Sequence, residues 1–156
     1  MKRTLLIILF SFLSCFVGAA EVLDFEFTDG AGKIFRTTTF IDQLEQIYRN
    51  RYEDMGILLI ETPSLNHQLY RKQDEILKSM DHSESEKLGL IYVISCWKYE
   101  EYIHGYHTSI KTTESLAGVH KSFRITLLDG KGRPYFRNND PISLKMLRDV
   151  IKNRDK

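Results

Sequence analysis

Three side chains able to bind a metal ion lie near one another in the chain: Cys96, His104 and His107. Thiolate and imidazole groups are ligands that zinc and copper prefer, provided that three or four of them converge. Glu100 or Glu101 could add a carboxylate. Metal motifs usually contain tighter pairs, and here only the two histidines have such spacing. We therefore expect histidines that are exposed or bonded to the backbone, and no cofactor, with metal binding by Cys96, His104 and His107 as an alternative.

Cys96 could also act alone as a nucleophile. It ends an apolar stretch and precedes Trp97, and the nearest basic side chain is that of Lys98. A reactive cysteine needs an electropositive and partly exposed setting, whereas a lone cysteine beside an apolar strand is most often a small core residue. We favour the core interpretation and keep a one-cysteine thiol oxidoreductase or peroxidase as the alternative function.

Four aromatic residues follow Cys96 and predict a contact surface: Trp97, Tyr99, Tyr102 and Tyr106. They alternate with charged residues, and amphipathic aromatic side chains are enriched in protein interfaces. Packing of the rings against the C-terminal hairpin would explain the same residues equally well. If the segment is exposed, it is the predicted binding site of the chain.

The stretch GILLIETPSLNHQLYRKQDEIL, residues 56–77, is an apolar strand followed by a polar loop and a helix. A thiol at a helix N-terminus has a lowered pKa and is therefore a good nucleophile. This loop has Thr62, Pro63 and Ser64 at that place, and none of them is a thiol. We expect Thr62 or Ser64 to cap the helix and Pro63 to set its first turn. An anion held by the helix N-terminus is the remaining functional interpretation.

The elements that would position these residues follow from hydrophobic periodicity. Continuous or alternating apolar residues predict strands at residues 21–27, 56–61 and 88–95 and a hairpin over residues 122–137. Apolar residues at helical spacing predict helices at residues 39–50 and 65–80, a short helix at 109–117 and a last helix opened by Asp140 and Pro141. The segment HSESEK, residues 82–87, is predicted to be a polar loop.

This order of elements predicts an α/β fold with one central mixed sheet. Strand, helix and strand form a βαβ unit, whose strands are parallel because the crossover is long. A ββα half with an antiparallel hairpin follows it. A βαβ unit followed by an antiparallel ββα unit, with helices flanking the sheet, is the order of a thioredoxin-like domain.

The chain also resembles a family of exported bacterial domains of unknown function. The resemblance covers about residues 45–154 and rests on two segments, IYRNRYEDMGILLIETPSLNHQLYRKQDEIL and FRITLLDGKGRPYFRNNDPISLKMLRDVIKNR. The turn LLDGKG and the end IKNRDK depart from the family's usual pattern. Related domains occur in sushi-repeat extracellular proteins. The resemblance implies a thioredoxin-like, peroxiredoxin-like fold that lacks the redox cysteines.

Residues 1–20 are predicted to be a secretory signal peptide. Lys2 and Arg3 precede a short apolar run, and Gly18 and Ala20 are the small residues that a signal peptidase needs. Cleavage would leave residues 21–156 as a single thioredoxin-like domain that is periplasmic or secreted. Two alternatives remain, a retained membrane anchor and a lipoprotein lipidated at Cys15.

Charge and cysteine content narrow the function classes. The chain has 22 basic and 21 acidic residues, and this balance argues against a nucleic-acid binder held by phosphate contacts. After cleavage Cys96 is alone, so no intrachain disulfide can form. We therefore expect a binding or structural module rather than an enzyme, with a protein or small-molecule partner in the cell envelope.

Overall fold

The computed structural model describes residues 21–48, 55–98, 105–117 and 122–154. Within these ranges seven strands form one mixed sheet. They are β1 (Glu26–Thr28), β2 (Ile34–Arg36), β3 (Gly56–Thr62), β4 (Leu90–Cys96), β5 (Tyr106–Thr108), β6 (Arg124–Leu128) and β7 (Pro134–Asn138). The helices are α1 (Phe40–Tyr48), α2 (Gln68–Lys78), α3 (His82–Leu88), α4 (Ile110–Ala117) and α5 (Leu144–Lys152).

The strand order is β2-β1-β5-β4-β3-β6-β7, so the apolar β3 lies near the middle of the sheet. Strand β3 is parallel to β4, from the pair Gly56 and Leu90 to the pair Thr62 and Cys96, and it is antiparallel to β6. All seven residues of β3 are buried. A strand covered on both faces needs a continuous apolar sequence, which explains the run GILLIE.

The two faces of the sheet carry separate hydrophobic clusters. One contains Phe27, Phe40, Leu44 and Leu59 and packs α1 against the sheet. The other contains Leu58, Ile60 and Leu147 and packs α2 and α5 against the opposite face. The expected α/β fold, with a mixed sheet between helices, is confirmed.

Two antiparallel hairpins, β1–β2 and β6–β7, form the two ends of the sheet. Both turns have the sequence Asp-Gly-X-Gly, starting at Asp29 and at Asp129. In each turn the aspartate side chain accepts backbone hydrogen bonds from the residues two and four positions later. Pro134 starts the edge strand β7, where its missing N–H leaves no gap in the sheet.

Helix α2 begins later than the apolar pattern predicted. The amide of His67 donates to the carbonyl of Ser64, so residues 64–67 form a turn and the helix starts at Gln68. Leu65 packs against the core from this turn, which explains why the helical spacing of apolar residues included it. The prediction of a helix from residue 65 was therefore wrong at its start.

Further elements differ from the sequence predictions, among them the first strand, which was predicted over residues 21–27 and is Glu26–Thr28. The segment HSESEK lies within helix α3, because the Asp81 carboxylate caps it by accepting from the amide of Glu84. Helix α5 begins after Ser143, whose hydroxyl accepts from the amide of Met146, and not at Asp140 and Pro141. The short strands β2 and β5 were missed, because three residues give no measurable period.

In the part of the chain that the structure describes, no helix has both the length and the apolar character needed to cross a bilayer.

Candidate functional site

The junction between β3 and α2 carries no thiol at the helix start. His67 is the N-cap residue, with an extended backbone, and its side chain makes no capping hydrogen bond. Its imidazole stacks on the ring of Phe123, with 6.3 Å between ring centroids and 12° between planes. The Thr62 hydroxyl donates to the carbonyl of Ser64 at 2.8 Å. The prediction that Thr62 or Ser64 caps α2 was therefore wrong, because these residues stabilise the turn before it.

Cys96 ends β4 beside Thr62 and is 5% exposed. Its thiol donates to the carbonyl of Lys98, with 2.9 Å between Sγ and O. The amides of Trp97 and Lys98 donate to the carbonyls of Thr62 and Pro63 at 3.0 and 3.1 Å, which continues the parallel pairing past the strand ends. Cys96 therefore lies inside a hydrogen-bonded backbone frame, as expected for a core cysteine.

Both ring nitrogens of His107 lie within hydrogen-bonding distance of other groups. Nε2 is 3.1 Å from the hydroxyl of Thr28, and Nδ1 is 3.2 Å from the carbonyl of Gly105. His104, Glu100 and Glu101 lie outside the described residues. Within the described ranges no group of three or more His, Cys, Asp or Glu side chains is placed to hold a metal ion.

The predicted aromatic surface divides into different environments. Tyr106 packs edge-on against Phe27 and Phe35, with 5.7 Å between ring centroids in each pair. Trp97 is partly buried after the end of β4. Tyr99 and Tyr102 lie outside the described residues. The surroundings of Tyr106 correspond to packing of its ring, although against β1–β2 and not against the C-terminal hairpin.

A buried ion pair lies at the carboxyl end of β3. The guanidinium of Arg124 donates through Nε and Nη2 to both oxygens of Glu61, at 2.6 and 2.7 Å. The Glu61 side chain is 4% exposed and that of Arg124 is 27% exposed. The hydrogen bonds to the Glu61 carboxylate raise the pKa of Arg124, and burial opposes them less strongly. Arg124 also reaches the carbonyl of Leu116 in α4, at 3.4 Å.

Hydroxyl groups continue this polar row across the sheet. Ser95 lies beside Glu61 on β4, and its hydroxyl donates to Thr113 of α4 at 3.2 Å. The hydroxyls of Thr108 and Thr113 are 2.6 Å apart. We call these five residues the strand-end network: Glu61, Ser95, Thr108, Thr113 and Arg124. Sequence reasoning missed the network, although a charged residue at the end of an apolar run was a signal for it.

An open cleft of about 700 Å³ lies beside the β6–β7 turn, at the opposite end of β3. We call it the turn cleft. Helix α1 forms one wall with Ile41 and Asp42, the turn forms the other with Lys131 and Arg133, and Met55 lies between them. The turn itself approaches α1 closely, since a Cβ atom at Gly130 would collide with Ile41. No sequence motif indicated this cleft.

Asp129 holds the turn wall in shape. Its Oδ1 accepts from the amides of Lys131 and Arg133, at 2.9 Å each, and its Oδ2 is 2.7 Å from Nε of Arg133. Burial would raise the pKa of Asp129. The amides of Arg133 and Lys131 and the Arg133 guanidinium outweigh that effect and lower the pKa. Asp129 and Arg133 therefore neutralise each other beside the cleft.

A comparison with solved structures finds a crystal structure of a putative thiol:disulfide interchange protein DsbE from Chlorobium tepidum. The TM-score is 0.53 at 12% sequence identity, and the match covers 84% of this chain and 92% of that chain. This likeness supports the thioredoxin-like fold. A scan against protein-family models and a search of the curated proteins find no match, so the resemblance to the exported bacterial family stays a prediction.

Proposed function

We propose that this chain is an exported thioredoxin-like module that acts by binding a partner and performs no thiol redox chemistry. The observation that supports it most is the start of α2. A thiol there would gain nucleophilicity from the helix N-terminus. This chain has the turn of residues 64–67 instead, and it ends with His67 stacked on Phe123.

The surroundings of Cys96 favour the same proposal over a one-cysteine enzyme. A redox or peroxidase cysteine must be a thiolate that its substrate can reach. Cys96 is buried, and its S–H is held in a hydrogen bond to a backbone carbonyl. The metal-binding alternative depends on His104, which lies outside the described residues.

A disulfide-reduction assay tests the proposal. Wild type and Cys96→Ser should give the same background rate with a protein disulfide substrate and a small-thiol reductant. An aromatic disulfide reagent should label Cys96 slowly in the native protein and rapidly in denaturant. Disulfide reduction by the wild type that Cys96→Ser does not show would overturn the proposal. Fast labelling of Cys96 in the native protein, together with a thiol-dependent peroxidase activity, would also overturn it.

Export is proposed from the residue pattern of positions 1–20, a basic start, an apolar run and small residues before Glu21. Fractionation of a bacterial host that expresses the full sequence tests it. We expect the protein in the periplasm with Glu21 as its first residue by mass spectrometry. An uncleaved chain in the cytosol would contradict export. A chain that starts with a lipid-modified Cys15 would show that the protein is anchored to the membrane.

A further inference from the structure

The turn cleft is lined by charged side chains of both signs. Asp42 of α1 and Lys131 of the β6–β7 turn both line it, and both side chains are exposed. Neither makes an ion pair with the other or with any further residue that the structure describes. By contrast, Arg133 is already neutralised by Asp129. Glu45 and Arg154 also line the cleft, and each has an interaction of its own. Among the described lining residues, Asp42 and Lys131 are thus the two opposite charges left open to a ligand.

The size and lining of the cleft fit a small ligand. Its volume of about 700 Å³ lies within the range of known ligand pockets and exceeds what a free amino acid needs. Ile41 on the α1 wall and Met55 supply apolar surface. Charged groups that face a partner determine its orientation and specificity more than its affinity. A ligand that suits both walls carries a positive group at one end and a negative group at the other.

From this arrangement we infer that the turn cleft binds a short peptide by its two free termini, with the ammonium group at Asp42 and the carboxylate at Lys131. The apolar floor accommodates small side chains between them. This inference rests on the proposed binding function and names its ligand class. It differs from the aromatic surface predicted from sequence, which belongs to the segment after Cys96.

Binding of trialanine to the purified protein tests the inference, with isothermal titration calorimetry and backbone amide NMR shifts as readouts. We expect saturable binding, with shifts at residues of α1 and the β6–β7 turn. N-acetyl-trialanine amide, which lacks both charges, should not bind. Free alanine carries the same two charged groups as a peptide and is therefore the second ligand tested. Weaker binding than trialanine supports a peptide ligand, and equal binding would show that the cleft binds amino acids instead.

Charge exchange is the sharper test. Asp42→Lys and Lys131→Asp should each weaken trialanine binding by about tenfold, because each replaces an attraction of an exposed charge by a repulsion. The double variant should bind trialanine again, within about twofold of wild type, in the reversed orientation. A structural role for either residue would not produce this recovery. The matched controls are Lys72→Gln and Asp140→Asn, exposed residues outside the cleft, which should bind like wild type.

Three results would overturn the inference: no saturable binding of trialanine, equal binding of the blocked peptide, or a double variant no better than the single ones. Thermal unfolding of each variant checks that it is folded. The outcome is separate from that of the thiol assay. If trialanine does not bind and Cys96 is inert, only the inference about the cleft ligand is wrong. If turnover depends on Cys96, the binding-module proposal is wrong, whatever the titrations give.

Discussion

The two ends of β3 contain polar residues of opposite kinds. At the carboxyl end, Glu61 and Arg124 are paired and the hydroxyls of the strand-end network bond to one another. At the other end, Asp42 and Lys131 line the open turn cleft without ion-pair partners among the described residues. Satisfied buried polar groups stabilise one fold, while open and unpaired ones are available to a ligand. At the carboxyl end, the charged pair and the hydroxyls of the strand-end network are therefore already bonded to each other.

The largest expected effect is at the carboxyl end. Arg124→Met should lower the free energy of unfolding by about 3 kcal/mol, because it leaves the buried Glu61 carboxylate without its partner. Urea unfolding at neutral pH measures it. The double variant Glu61→Leu with Arg124→Met should be more stable than Arg124→Met alone, since it removes the unpaired charge. A loss below 0.5 kcal/mol in the single variant, about what a surface substitution gives, would contradict the structural role of this end.

The β6–β7 turn, beside the turn cleft, and the β1–β2 turn share the pattern Asp-Gly-X-Gly. A substitution in one turn is therefore a control for the same substitution in the other. Gly132 and Gly32 have φ values of +75° and +82°, so an alanine at either place costs about 1 kcal/mol in backbone strain. A Cβ at Gly132 would also lie 3.0 Å from the carbonyl oxygen of Leu23, whereas one at Gly32 would meet nothing within 4 Å.

Gly132→Ala should therefore destabilise the chain by about 2 kcal/mol and Gly32→Ala by about 1 kcal/mol, the difference coming from the close contact. Urea unfolding of both variants measures the difference. Equal losses would mean that the β6–β7 turn is no more tightly packed against its neighbours than the β1–β2 turn is.

Acid should weaken the turn wall through Asp129. Its folded-state pKa is lowered, so its contribution to stability is present above the unfolded pKa near ~3.9 and is lost as the pH falls through the folded value. Wild type should therefore lose up to about 1 kcal/mol more than Asp129→Asn between pH 5 and pH 2, where the asparagine cannot titrate. Parallel urea titrations at several pH values measure this; identical slopes in both proteins would exclude Asp129 as the source.

The sequence predicted the parts of the fold that depend on local pattern. Strand β3 was predicted from the apolar run that starts at Gly56. The β6–β7 hairpin was predicted from the alternation after Phe123 and the turn at Asp129. Both patterns involve residues that are close in sequence. Helix α3 was missed because its polar sequence has no apolar face, and its start depends on one capping carboxylate, that of Asp81.

Neither the strand-end network nor the turn cleft could be predicted in the same way. The Glu61 and Arg124 pair joins residues 63 positions apart and depends on the register of β3 and β6. The turn cleft brings together α1, Met55 and the β6–β7 turn, three segments that share no motif. Hydrophobic periodicity predicts helices and strands, but it does not predict how far α1 lies from the β6–β7 turn.

The smallest effect on stability, and the clearest contrast with Arg124, is expected at the cleft. Asp42→Asn and Lys131→Gln should each change the free energy of unfolding by less than about 0.5 kcal/mol, because both side chains are exposed and unpaired among the described residues. The same urea titration measures it. A loss above 1 kcal/mol in either variant would show that its charge already stabilises the folded chain. That residue would then stabilise the fold as the strand-end network does, and the polar groups at the two ends of β3 would have the same role.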